Sequence, residues 1–270
     1  MMKKLLSRMH WVDTKYPVLL FLCSLLVALL CPAVIIHAAE GKGSDPQYIF
    51  YKGNTFYEEG NYEAAIREYS RLVDQGLESG HLYYNMGNSY FKSGELGRAI
   101  LYYEKAKRLI PGDSDLRSNY TYAMSKISPG ASAASALWYS KIFSLFNGFT
   151  VNGLSVAVSI LYAFILLSVL AAIFFPSAKM HCRLSAIILL VIFLASASTL
   201  YHRVALLDSE AVILAAQADA RFEPMENATT HFTLYEGAKV TVLQSRKGWM
   251  KIRRDDGKSG WVRTEYTEMI

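Results

Sequence analysis

The side chains that most often carry catalysis are scattered along this sequence. Its six histidines (His10, His37, His81, His181, His202 and His231) lie far apart, and none has a neighbour at the spacing that aims two imidazoles at one metal. Cys23 and Cys31 fall in the first apolar run and Cys182 in a short polar stretch between two others. There is no phosphate-cradling glycine loop and no nucleophile elbow, and paired carboxylates such as Glu58 and Glu59 read as ordinary exposed helix charges. The residues point to a non-enzyme that holds neither metal nor cofactor.

What the sequence offers instead is chemistry for non-covalent binding. Aromatic and amide side chains interleave in two sets: Gln47, Phe50, Asn54, Tyr57 and Glu58, then His81, Tyr84, Asn85, Asn88, Phe91 and Lys92. Rings supply area to bury and amides bond an extended backbone, a pairing suited to a peptide segment. The bland alternative is that they only pack or solvate their own helices. Near the C-terminus, Trp249 and Trp261 fit either a ligand-binding aromatic surface or a core. Arg246, Lys247, Arg253, Arg254 and Lys258 make a basic hairpin face beside them.

The elements that must position the first group repeat. Helical periodicity begins at Pro46, and a self-comparison at 34 residues aligns Gly53 with Gly87, Phe56 with Tyr90, Ala65 with Ala99 and Tyr69 with Tyr103. Glycine and alanine let two antiparallel helices approach, the aromatics fill the space between them, and Pro111 closes the second unit. The stretch YKGNTFYEEGNYEAAIREYSRL followed by YNMGNSYFKSGELGRAILYYEKAKRLIPGD resembles the tetratricopeptide family. That resemblance implies repeats over 46–79 and 80–113, a capping helix that completes the array to residue 127, and a partner-binding groove at Phe50, Asn54, Tyr57, Tyr84, Asn85, Asn88, Phe91 and Lys92. Asn54 and Asn85 match two positions of the carboxylate clamp of chaperone-binding members. Phe50, Asp115 and Asn119 stand where that clamp needs cations, so its specificity does not carry over.

Composition places the rest of the chain in a membrane. Hydrophobic residues make up 52% of 270, more than a soluble core of this size needs. The net charge of +5 does not sit on a folded part: residues 46–130 hold ten basic and ten acidic side chains, and residues 208–270 nine and ten. The excess borders the apolar segments, which argues against nucleic acid as a partner. Lys3, Lys4 and Arg8 precede an apolar run ending near Ala38 and Ala39, so 1–39 reads as a signal peptide or a signal anchor, with either fate compatible with its residues. Residues 128–150 form a linker and an interfacial aromatic segment. Residues 151–175 and 184–202 are uncharged but for Arg183 beside the second and His202 at its end, and read as transmembrane helices joined by a cytoplasmic loop at 176–183 bearing Lys179 and Arg183. The charge asymmetry then predicts a multi-pass protein of the bacterial cytoplasmic membrane with both folded parts on the extracytoplasmic side.

Residues 208–270 switch to short apolar runs broken by Glu236-Gly237, Gly248-Trp249 and Asp256-Gly257, and resemble bacterial SH3-type domains. The expected fold class is a multidomain membrane protein: an α-helical tetratricopeptide array, a transmembrane helical hairpin and a small all-β SH3-like barrel. This order of parts resembles the BatE proteins of the Bacteroides aerotolerance group. The resemblance implies a membrane-anchored scaffold that works with membrane-bound von Willebrand factor A-domain proteins and a MoxR-type ATPase in stress tolerance. The alternative reading is a protein that binds peptidoglycan through the SH3-like domain.

Overall fold

The computed structural model describes residues 45–127, 148–207 and 209–270; segment 1–39, expected to be a signal peptide or signal anchor, and most of the 128–150 segment lie outside the described residues. Five helices come first: α1 (Pro46–Glu58), α2 (Tyr62–Asp74), α3 (Gly80–Ser93), α4 (Leu96–Leu109) and α5 (Ser114–Ile127). Four of the five starts carry a side-chain cap from the residue just before the helix. The side chains of Asp45, Asn61 and Ser79 cap α1, α2 and α3, and Asp113 accepts from the Leu116 amide at 2.8 Å to cap α5. The Schellman-type ends fall at Gly60, Gly76 and Gly94, all with positive φ.

The helices pair α1 with α2 and α3 with α4, and α5 covers the second pair. One contact recurs at the same offset in both pairs. A side chain at Gly53 would collide with the Tyr69 ring, and a Cβ at Gly87 would lie 2.5 Å from Cδ1 of Tyr103. The two tyrosines are among the largest fully buried side chains, and Ala65, Ala99 and Ala106 complete the close approach. Glycine is needed because the phenol ring occupies the volume a Cβ would take.

Two long apolar helices follow: α6 (Val151–Phe174) and α7 (Lys179–Leu206). They are of 24 and 28 residues, so each exceeds the ~30 Å of a hydrocarbon layer at ~1.5 Å per residue. They pack against each other through small residues, with Ser196 and Thr199 buried and Tyr162 beside Phe193, while Val156, Ile173, Ile187 and Val191 point outward. The reversal is tighter than the eight-residue loop read from the sequence. Pro176–Ala178 forms one 3-10 turn and α7 already starts at Lys179, so Lys179 and Arg183 lie on helix, and α7 runs on to Leu206. Nothing between Lys179 and Leu184 breaks a helix, and the proline alone supplies the stop.

The C-terminal part is a seven-stranded antiparallel sheet: β1 (Glu210–Ile213), β2 (Gln217–Arg221), β3 (Thr230–Tyr235), β4 (Lys239–Arg246), β5 (Trp249–Arg253), β6 (Ser259–Arg263) and β7 (Thr267–Met269), in the order β3-β2-β6-β5-β4-β1-β7. It curls on itself, because Phe232 and Leu234 of one edge share a core with Ala211 and Ile213 near the other. Gly237, Gly248 and Gly257 take positive φ at the three expected turns, and Lys247 (φ 45°) precedes Gly248 in a two-residue reversal.

Replacing Gly87 by alanine is expected to destabilise the array by about 1–3 kcal/mol, since neither the Tyr103 ring nor the backbone can yield cheaply. Urea titration of the detergent-solubilised chain followed by helical circular dichroism measures this. Gly94→Ala is the comparison, because space there is open and only the positive φ is strained.

Candidate functional site

The groove residues expected from the sequence do different jobs. A cavity of about 280 Å³ is lined by Asn54, Tyr57, Glu58, Tyr69, Asn85 and Asn88, so four of the eight expected residues meet in one place. Phe50 instead packs on Tyr69 (ring centroids 5.8 Å apart), Tyr84 lies 6.2 Å from Tyr103, and Phe91 lies 5.6 Å from Tyr122. Lys92 is exposed.

The asparagines are bonded within the array in a pattern that repeats at 34 residues. Asn54 Oδ1 accepts from the Tyr69 hydroxyl at 2.7 Å and from Asn85 Nδ2 at 3.0 Å. One repeat later, Asn88 Oδ1 accepts from the Tyr103 hydroxyl at 2.7 Å and from Asn119 Nδ2 at 2.9 Å. Asn119 also donates to the Tyr84 hydroxyl at 2.8 Å. Each oxygen thus joins the second helix of its own repeat to the first helix of the next unit. Burial, the largest influence, raises the pKa of both Tyr69 and Tyr103, so their hydroxyls stay protonated donors at any physiological pH. The faces left for a ligand are the Tyr57 ring, the Glu58 carboxylate and the remaining valences of Asn85. Sequence comparison aligned the two tyrosines; the same offset relates Asn54 to Asn88 and Asn85 to Asn119 and would have exposed the ladder.

The barrel docks on the second repeat. The glutamate of the β3–β4 turn, Glu236, accepts from the Gly97 amide at 2.6 Å. Helix α4 has no side-chain cap of its own, so a residue 139 positions away in sequence fills that role. A Cβ at Gly97 would sit 2.8 Å from Cγ of Glu236, which is why the second residue of the helix is glycine here. Below it, Glu104 is 4% exposed and is met by Tyr120 Oη at 2.7 Å, Lys239 Nζ at 3.3 Å and Lys107 Nζ at 3.5 Å. Lys239 also pairs with Glu210 at 3.0 Å, and Arg108 joins Glu210 (3.3 Å), the Leu207 carbonyl (2.9 Å) and the Ile270 carbonyl. Burial would raise the Glu104 pKa, but Lys239, Lys107 and the hydroxyl of Tyr120 outweigh it, and the net shift is downward. Burial would likewise lower that of Lys239, but Glu104 and Glu210 raise it. Sequence reading missed this interface, since its partners come from segments more than a hundred residues apart.

The tryptophans do not form the open ligand surface that was one of their two readings. Trp249 and Trp261 are 7% and 9% exposed. Register puts Met250 opposite Val262 and Ile252 opposite Gly260, so these face the barrel core and the two indoles lie on the other face. There the Arg263 guanidinium covers Trp249 at 5.0 Å and is itself paired with Glu226 of the β2–β3 loop. The exposed aromatics of the barrel include Tyr235 and Phe222, the latter stacked on His231 at 4.4 Å. Among the described residues no group of three or more His, Cys, Asp or Glu is gathered as a metal would require.

Two measurements check this account. Asn88→Ala is expected to cost about 2 kcal/mol by leaving the Tyr103 hydroxyl and the Asn119 amide without their shared acceptor, read by urea titration. Glu104 has a folded pKa below its ordinary 4.5, so its contribution is present above that value and lost as pH falls through the folded value. Lys239 has its pKa raised above 10.5, so its contribution is present below that value and lost only as pH rises through the folded one. Glu104→Gln is therefore expected to cost about 1.5–3 kcal/mol at neutral pH, and the difference from the parent should shrink as pH falls through the folded value and Glu104 itself protonates. An undiminished difference at acid pH would mean that the charge on Glu104 is not what holds the barrel.

Comparison with known families agrees with the two folded parts. Residues 52–114 match the model of the tetratricopeptide repeat and residues 217–268 that of the bacterial SH3 domain. No curated protein matches the chain. The chain is thus similar to two module families, the first a class of protein-interaction array and the second a class with cell-wall binding among its roles.

Proposed function

We propose that this protein is a non-catalytic scaffold anchored in the bacterial cytoplasmic membrane, whose tetratricopeptide groove receives a segment of a partner protein on the extracytoplasmic side. The observation that carries the reading is that the barrel occupies the α4 and α5 side of the array, whereas the cavity around Asn54, Tyr57 and Asn85 is left uncovered by it. An array whose only task was to seat the barrel would not need that second, open face.

The anchoring half of the reading rests on α6 and α7, each long and apolar enough to cross a bilayer, with outward-facing valine, leucine and isoleucine and almost none of either span buried. Lys179 and Arg183 stand in the first turns of α7, where the helix dipole disfavours cations, so local helix energetics do not explain them. Retention on the cytoplasmic side of the hairpin does. The domain order 1–39, 46–127, 128–150, 151–175, 176–183, 184–202 and 208–270 belongs to this reading, with the hairpin boundaries drawn as above. The likeness to BatE proteins would make the partners membrane-bound von Willebrand factor A-domain proteins acting with a MoxR-type ATPase, and the setting aerotolerance.

The groove and the barrel are not independent grips, because deleting the barrel would strand Glu104 without Lys239. Point variants are the sound test. Crosslinked affinity purification from native membranes is expected to recover proteins with exported domains on the parent chain. A Tyr57→Ala, Glu58→Ala and Lys92→Ala variant, which leaves every ladder bond in place, should lose them. Unchanged partners would rule out the groove. Recovery of wall fragments alone would favour the second reading, peptidoglycan binding through the SH3-like domain, which the family match at 217–268 supports and the buried Trp249 and Trp261 do not.

A further inference from the structure

A second cavity, of about 790 Å³, lies where the array, the apolar hairpin and the barrel meet. Its lining is divided by chemistry. Val151 is the first residue of α6 and Leu206 the last of α7, and with Leu116 they form an apolar part. Lys107 and Arg117 contribute cations from the array, and Arg203 one from the hairpin.

The carboxylates in the same cavity are already engaged. Glu104 and Glu210 are held by Lys239 and Arg108, and Asp113 accepts the Leu116 amide at the start of α5. Lys107 reaches Glu104 only at 3.5 Å and is exposed, as is Arg117. Arg203 donates to the Phe149 carbonyl and adds its charge to the lining. The cavity therefore presents a net positive polar wall above an apolar one, at the level where both long helices end.

We propose that this cavity binds the phosphate of an anionic membrane lipid, with Lys107 and Arg117 as its ligands and the acyl chains descending along Val151 and Leu206. The proposal rests on the reading that α6 and α7 span a bilayer, since only then do their ends bring a lipid headgroup to the cavity mouth. A planar guanidinium suits bidentate contact with phosphate oxygens, and an ammonium supplies a point charge beside it. The site would tie the array to the bilayer surface through a third component, in addition to the chain connection.

The test uses the full chain in nanodiscs of mixed phosphatidylglycerol and phosphatidylcholine, re-extracted in mild detergent, with the retained lipid identified by native mass spectrometry. The parent is expected to retain phosphatidylglycerol in preference. Lys107→Gln with Arg117→Gln should weaken that retention by about tenfold or more, while Arg67→Gln with Lys126→Gln, which removes the same charge away from the cavity, should leave it unchanged. Retention without headgroup preference, or equal loss in both variants, overturns the site. Displacement of the lipid by millimolar inorganic phosphate overturns the lipid assignment in favour of a free anion. A carbonate wash separates the two levels: release of the chain from native membranes defeats the spanning reading and this proposal with it, whereas a carbonate-resistant chain that ignores headgroup defeats the proposal alone.

Discussion

Glu104 is a carboxylate taken almost wholly out of water, which is unfavourable unless every lone pair finds a donor. The donors come from three places: Lys107 from its own helix, Tyr120 from the capping helix and Lys239 from the barrel. Through Lys239 the network reaches Glu210, and through Glu210 it reaches Arg108, which holds the Leu207 and Ile270 carbonyls. One buried charge thus requires the second repeat, the cap and the barrel to be in position together. If the barrel were displaced, Glu104 would keep its hydroxyl and one distant ammonium, too little to compensate its desolvation.

The docking needs room as well as charge. Gly97 leaves space for Glu236 to reach the first turn of α4, and Gly237 brings the β3–β4 turn against Ile127 and Ile100. Val212 and Leu214 of the β1 region join the hydrophobic cluster of the array. The barrel is in this sense a further layer of the solenoid, placed where another helix pair would stack. Its docking leaves the groove cavity uncovered and closes off the next stacking position.

Within the array, a glycine, a tyrosine and an asparagine recur at one offset and act as a unit. The glycine admits the ring, the ring fills the helix pair, and its hydroxyl fixes the asparagine that reaches the next unit. The groove floor is therefore also the joint between repeats. This limits which residues can be given over to a ligand: Tyr57 and Glu58 are available to one in a way that Asn54 and Asn88 are not.

The sequence alone determined the modules, because their signals are local or strictly periodic. The 34-residue recurrence of Gly53 and Tyr69 identified the helix pairs, uncharged runs identified α6 and α7, and Glu236-Gly237 and Asp256-Gly257 identified the strand reversals. The meeting of Asn54, Tyr57, Asn85 and Asn88 around one cavity was legible for the same reason, since repeat position places them on one side of the array. Tertiary structure decided what those residues bond to, that Trp249 and Trp261 are covered, and that the barrel sits on the array. The last two depend on contacts between segments distant in sequence, such as Gly97 with Glu236 and Glu104 with Lys239. Such pairs leave no periodic trace in one chain, because a charge or a glycine at either position is also what an exposed helix surface or an ordinary turn would carry.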